Sequence, residues 1–271
     1  MKLRTALLAS ILAALLAPVM LIAQQTGTLP KTKAPSASPA AVEAAPAAAP
    51  VNAARMTREE QIKTDWPWLA RFKEDNLKLG PPAAGEQRVV FMGDSITQGW
   101  HLDVSYPGKP YINRGISGQT TPQMVLRFHQ DVIALKPKAV IILAGINDIA
   151  ENTGPITLEE TEDNLAAMAE MASANHIPVV LCSVLPAFDF PWHPGMAPAP
   201  KVIALNQWIK SYAAEKGHIY LDYYSPMKDE RGGLPPTLSK DGVHPLPAGY
   251  AVMAPLAEAA IEQAIKTGNS K

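Results

Sequence analysis

Cysteine is almost absent. Cys182 is the single one in 271 residues, which excludes an intrachain disulfide and any cysteine-based metal cluster. An excess of either charge is also missing, with 24 Lys+Arg against 25 Asp+Glu. Proteins that hold their partner mainly through phosphates carry a basic excess or patch, so nucleic acid is not an expected partner. Aromatic residues are missing from the first 65 positions: the 5 Trp, 7 Tyr and 5 Phe all fall at or after Trp66. Aromatics supply much of the buried area of a core. The chain therefore reads as one domain behind a long leader.

The leader has parts of its own. Lys2 and Arg4 precede an apolar stretch from Ala6 to Ala17, then Pro18 and a short run to Ala23. A basic n-region before a compact apolar region is the pattern of a secretory signal peptide. Residues 1–23 are expected to be one, cut after Ala23, with Leu21 an atypical residue two before Ala23. The rival is an uncleaved anchor, since Thr5 to Ala23 spans 19 residues, close to the ~20 that cross a bilayer. Ser10, Pro18 and the many alanines make that anchor weak. No cysteine follows the stretch, which argues against a bacterial lipoprotein. The expectation is an exported protein, periplasmic or extracellular, with no stable membrane span after cleavage. Residues 34 to 54 hold 15 Ala or Pro in 21, too little bulk to offset chain ordering. Residues 24–55 are expected to be a disordered tether. In residues 56–85, Ile62, Trp66, Trp68, Leu69 and Phe72 have the spacing of an amphipathic helix, interrupted near Pro67.

After Gly85 apolar runs alternate with helical patterns. Strands are expected over Arg88–Met92, Tyr111–Asn113, Ala139–Ala144, Pro178–Leu185 and His218–Asp222. A helix with Thr121 as cap and Pro122 behind it carries Met124, Val125, Phe128, Val132 and Leu135 on one side. Thr157 and Glu160 have capping-box spacing ahead of Leu165, Met168 and Met171. Further helices are expected over Lys201–Lys216 and Pro247–Ala264. Short strands separated by helices imply a parallel sheet with right-handed crossovers and helices on both faces. Function in such sheets gathers beyond the carboxyl ends of the strands.

Gly93-Asp94-Ser95 follows the first strand, Asn113-Arg-Gly-Ile-Ser-Gly118 the second, and Gly145-Ile-Asn147-Asp148 the third. Asp241-Gly-Val-His244 comes some twenty residues after the last. A hydroxyl nucleophile needs a base, the base an orienting group, and the oxyanion preorganised donors. All four kinds of group are present. Taken singly, Ser95 could be a helix cap, Asn147 a turn residue, and Asp241 with His244 a capped loop.

Together, these segments resemble the sequence blocks of the SGNH (GDSL-type) hydrolases, a family of esterases and lipases, over about Glu86 to Ile265. The resemblance implies a three-layer αβα sandwich with a five-stranded parallel sheet, flavodoxin-like, in a catalytic domain of residues 86–271. It also implies that Ser95 is the nucleophile, Asp241 and His244 the acid and base, and Ser95, Gly118 and Asn147 the oxyanion hole. The reaction then expected is acyl transfer from a carboxylic ester through an acyl-enzyme, without metal or cofactor. The partner is a small-molecule or glycan ester; the oligomeric state stays open.

Asp94 is expected to hydrogen-bond its own loop. Arg114 could meet an anionic substrate group or be a solvated surface residue. His101, His129, His176, His193 and His218 lack paired metal-ligand spacing, and Cys182 reads as a small core residue. Phe188, Phe190 and Trp192, in a proline-rich segment from Pro186 to Pro200, form either a rim for a sugar ring or acyl chain, or a loop packed on itself. Trp100 and His101 could add to that wall. No long apolar lid is evident, so short acyl groups, with O-acetyl on a carbohydrate first, are expected. A lysophospholipase or thioesterase would use the same residues on longer acyl chains. A catalytically idle carbohydrate-binding module is the alternative of another class.

Overall fold

A computed structural model describes residues 57–268; the expected signal peptide and tether, and Met56, lie outside the described residues. Five apolar runs build the sheet: β1 (Val89–Gly93), β2 (Tyr111–Gly115), β3 (Ala139–Leu143), β4 (Val179–Cys182) and β5 (Ile219–Leu221). Every residue of β1, β3 and β4 is buried, which is why those runs show no polar alternation. The order is β2-β1-β3-β4-β5, all pairs parallel.

Ten helices accompany the sheet among the described residues: α1 (Arg58–Thr64), α2 (Lys73–Leu79), α3 (Ser95–Gln98), α4 (Leu102–Ser105), α5 (Thr121–Asp131), α6 (Ile146–Ile149), α7 (Leu158–Ala174), α8 (Ala199–Lys216), α9 (Tyr224–Met227) and α10 (Pro247–Gly268). α7 packs between α5 and α8 on one side, while α10 lies against β3, β4 and β5 on the other. This is a three-layer αβα sandwich. None of the described helices is long and apolar enough to cross a membrane.

The departures from expectation are local. The cap of α5 is Thr120, not Thr121: the Thr120 N–H donates to Gln123 Oε1 at 3.1 Å, while Thr121 gives its N–H and hydroxyl to Asp148. β2 runs on to Gly115. β4 stops at Cys182, short of Leu185, because the Asn206 side chain takes both the N–H and the C=O of Val184 at 2.7 and 2.9 Å. α8 begins two residues before Lys201, and α10 runs four past Ala264. Trp100 is not on a pocket wall. It is buried beside Phe91, Tyr106 and Tyr250, because its ring fills the gap between α10 and β1.

The amphipathic segment before β1 forms α1 and α2, split by turns around Pro67. Asp65 holds the turn by accepting from the N–H groups of Leu69 and Ala70, both at 2.8 Å. Glutamines of the domain pin the backbone there: Gln123, Gln119 and Gln130 donate to the carbonyls of Trp66, Pro67 and Leu69, each at 2.7 Å. Between them Trp68 adopts φ 55°, a left-handed conformation that is uncommon for a bulky residue.

Register positions the functional loops. Gly93 at the end of β1 pairs with Gly115 of β2 and with Leu143 of β3, so three strands end level. Strand order reverses at β1, with β2 on one side and β3 on the other. The loops after β1 and β3 flank that switch point, where parallel sheets bind their ligands.

Candidate active site

Asp94 caps α3, its Oδ1 accepting from the Ile96 N–H at 2.9 Å. That places Ser95 at the first position of a short helix beyond β1. Packing this helix so close to β2 requires Gly115, where a Cβ would overlap the Gln98 backbone nitrogen and stand 2.7 Å from the Asp94 carbonyl. Ser95 Oγ lies 2.9 Å from His244 Nε2. On the far side of the ring, His244 Nδ1 is 2.6 Å from Asp241 Oδ2. The network assigns the Nδ1 proton to the Asp241 side and leaves Nε2 to accept from the serine hydroxyl.

Asp241 belongs to a small self-contained loop. Its Oδ1 accepts from Ser239 Oγ, Val243 N and His244 N at 3.0, 3.0 and 2.8 Å. Partial burial raises its pKa, but the His244 N–H and ring and the Val243 N–H outweigh that and hold the carboxyl at about 2. The group facing the imidazole is therefore charged at any working pH.

In the loop after β2, Gly118 has φ 74°, a conformation that favours glycine, and it turns the chain. The backbone N–H groups of Ser95 and Gly118 have no hydrogen-bond partner among the described residues. Asn147, buried at the start of α6, is held from both ends. Its Nδ2 donates to the Gln119 carbonyl at 3.0 Å, and its Oδ1 accepts from Asn152 Nδ2 at 2.6 Å. One amide hydrogen remains uncommitted. Thus Ser95, His244 and Asp241 form one hydrogen-bonded relay, with Gly118 and Asn147 on the neighbouring level strand ends.

Several side chains depart from expectation or were not anticipated. Asp94 does bond its own loop, but its Oδ2 is buried without a partner, and burial drives its pKa up to about 7. Arg114 is neither a substrate contact nor a surface residue: it is buried over the Phe72 ring and donates to Asn76 and to the Asn113 carbonyl. Arg127, fully buried in α5, donates to the Gly93 and Arg114 carbonyls at 3.0 and 2.9 Å and to the Asp131 and Gln119 side chains. It ties together the ends of β1 and β2 and the residue that holds Asn147. Nothing in the sequence marked it, since an arginine in an amphipathic helix reads as solvated. Asn152, five residues after Asn147, carried no motif either.

Of the three loop aromatics, only Trp192 reaches the site. Its ring stacks on buried Phe190 at 5.2 Å, lies 6.0 Å from the His244 ring, and its Nε1 donates to Asn152 Oδ1 at 3.1 Å. Phe188 stands apart, half-exposed under the Arg231 guanidinium. Cys182 is buried in β4. Among the described residues no group of three or more His, Cys, Asp or Glu could hold a metal ion.

Comparison with known proteins places this geometry. The profile of the GDSL-like Lipase/Acylhydrolase family matches residues 91–252. The crystal structure of a GDSL-like lipase from Bacteroides thetaiotaomicron is similar with a TM-score of 0.72 and 45% identity, covering 74% of this chain and 100% of that one. An uncharacterized lipoprotein of Bacillus subtilis is 30% identical over 132 residues, 42% of this chain and 54% of that protein. The chain thus spans about half the length of that relative. An acetylxylan esterase of Geobacillus stearothermophilus is 29% identical over 163 residues, 56% of this chain and 73% of that protein. A profile match across most of the sandwich, joined to the likeness in fold and sequence, makes the chain a member of the GDSL-like lipase/acylhydrolase family of carboxylic ester hydrolases.

Proposed function

We propose that the protein is a serine esterase that removes short acyl groups, O-acetyl first, from a carbohydrate. The observation that carries this reading is the unbroken relay from Ser95 Oγ through the His244 ring to Asp241, at 2.9 and 2.6 Å. Ser95 attacks the ester carbonyl while His244 takes its proton. Asp241 orients the ring and stabilises the imidazolium. The tetrahedral oxyanion receives the Ser95 and Gly118 N–H groups and the free amide hydrogen of Asn147. Collapse expels the alcohol, which takes the proton back from His244. Water then repeats the sequence on the acyl-enzyme.

The substrate class has separate support. The indole of Trp192 beside His244 offers a flat face where the leaving alcohol must sit, a surface suited to a sugar ring. The relative from Geobacillus stearothermophilus is an acetylxylan esterase by name. A lysophospholipase or thioesterase would need an apolar trough for its acyl chain, whereas the amides of Gln61, Gln98, Gln119, Gln123 and Asn152 interrupt the lining around Gly118. An idle binding module would have no use for a charged Asp241 aligned on His244. Export rests on the pattern of residues 1–23.

The test combines chain length with labelling. The protein should hydrolyse p-nitrophenyl acetate faster than octanoyl or longer esters and release acetate from acetylated polysaccharides. A fluorophosphonate should label Ser95. Ser95→Ala should lose on the order of 10⁴-fold or more in kcat and all labelling. Full activity in that variant sinks the scheme; preference for long chains sinks the acetyl reading alone.

A further inference from the structure

We propose that the segment before β1 builds a second binding subsite beside the oxyanion loop, and that it receives an acidic sugar residue of the substrate. The proposal rests on the esterase reading above and adds to it a glycan class, one bearing carboxylates. It grows out of a cavity of about 660 Å³ between the N-terminal segment and the loop after β2. One wall is Gln61, Ile62, Trp68 and Arg71; the other includes Gly118 and Asn152. Gly118 is a proposed oxyanion donor, and Asn152 holds Asn147, so whatever fills the cavity lies against the reacting ester.

The chemistry of the lining selects the ligand. Side-chain amides of Gln61, Gln98, Gln119, Gln123 and Asn152 line it beside apolar Ile62, Trp68 and Ile116, polar and apolar surface in about equal share, a mixture that fits the hydroxyl rim and apolar faces of a sugar ring. Trp68 supplies an aromatic face. Arg71 is the one charged side chain among the lining residues. Its guanidinium rests over the Phe72 and Trp68 rings, 4.8 and 5.8 Å from their centroids, and it belongs to none of the ion pairs of the described residues. A guanidinium laid on two aromatic rings at a cavity mouth, with its charge unmatched, suits a planar carboxylate.

The wall is also built to hold still. Trp68 keeps its left-handed backbone because the carbonyls of Trp66, Pro67 and Leu69 are pinned by glutamines. One of these is Gln119, whose own carbonyl receives the Asn147 amide. The strained tryptophan and the oxyanion asparagine thus share a support. Backbone strain that the surroundings over-determine clusters at ligand clamps.

The experiment compares three substrates: p-nitrophenyl acetate, O-acetylated trigalacturonate and O-acetylated xylotriose. Native enzyme should favour the acidic trisaccharide over the neutral one. Arg71→Gln should lower that preference about tenfold or more, through KM, the scale of a charge-assisted hydrogen bond. Arg71→Lys should keep part of it. Trp68→Ala should lower kcat/KM on both trisaccharides relative to p-nitrophenyl acetate. Native enzyme that hydrolyses p-nitrophenyl acetate without preferring the acidic trisaccharide, or a preference unmoved in Arg71→Gln, overturns the subsite alone. Native enzyme inert on all three esters overturns the esterase reading beneath it. If Trp68→Ala depresses all three substrates equally, the ring is only structural and the subsite is likewise overturned.

Discussion

Asn147 sits where an amide has two ways round, and its neighbours choose one. Gln119 accepts from Nδ2 while Asn152 donates to Oδ1, so a flipped amide would set donor against donor and acceptor against acceptor. Asn147→Ala should therefore cost on the order of 10²–10³ in kcat on p-nitrophenyl acetate. Asn152→Ala, which on this small ester acts through Asn147 and Trp192, should cost about tenfold in kcat with KM little changed. Equal losses in the two variants would mean that Asn152 touches substrate itself. Asp94 offers a second test. Its folded pKa of about 7 lies above the ordinary 3.8 because it is buried, so the native state binds the proton more tightly than the unfolded chain. Its contribution to stability consequently falls as pH rises from about 4 to about 7. Asp94→Asn keeps a capping oxygen and removes the titration. The variant's Tm relative to the parent should be higher at pH 8 than at pH 5, by roughly 2–4 °C for each kcal/mol involved. A Tm difference that does not change with pH refutes this. The group Ser95, Asp241 and His244, which lies in one hydrogen-bonded relay, and the proposed donors Gly118 and Asn147 could be picked out as candidates because each comes in a short local motif. Asn152, Asp94's orphaned oxygen and Arg127 could not, because their meaning lies in residues that are distant in sequence or in burial itself.

At the scale of elements, α5 does more than cover the sheet. Arg127 and Asp131 form a fully buried pair one turn apart at 3.1 Å, and the arginine reaches the last carbonyl of β1 and that of Arg114 in β2. Arg127→Met should strand the Asp131 carboxylate and cost about 3–5 kcal/mol, seen as a Tm lower by roughly 6–20 °C. Adding Asp131→Leu should recover part of the loss; a double variant no better than the single one would show that the lost backbone contacts, and not the unpaired charge, carry the cost. Runs such as Val89–Met92 and Ala139–Leu143 were readable as strands since both faces are covered. The early stop of β4 was not readable, because the competitor for its backbone is Asn206, a side chain 22 residues away. The short α3, α4, α6 and α9 were invisible to periodicity, each being about one turn long.

For the molecule as a whole, the single cysteine is buried in β4, so maturation in an oxidising compartment needs no disulfide. That agrees with the proposed export. Expressed in full with its own N-terminus, the protein should be recovered outside the cytoplasm with Gln24 as its first residue, which intact mass and N-terminal sequencing would check. Retention of Met1 through Ala23 on membrane-bound protein would replace the signal peptide with the anchor. Parallel strands with helices on both faces followed from the rhythm of apolar runs and the three-layer sandwich from the family resemblance, while the order β2-β1-β3-β4-β5 is seen only in the fold. The placement of the N-terminal helices against the loop that carries Gly118 was not readable, since it depends on glutamines that look like ordinary surface residues.

The three-residue spacing of Asp241 and His244 has a mechanical corollary. The proposed acid and base ride on one loop that is bonded to itself through Ser239, Val243 and His244, while the proposed nucleophile and oxyanion donors stand on α3, on α6 and in the loop after β2. A displacement of that loop moves imidazole and carboxylate as one body. It breaks the Ser95–His244 contact before it disturbs the pair. On the proposed roles, an imidazole that reaches the serine brings its oriented carboxylate with it.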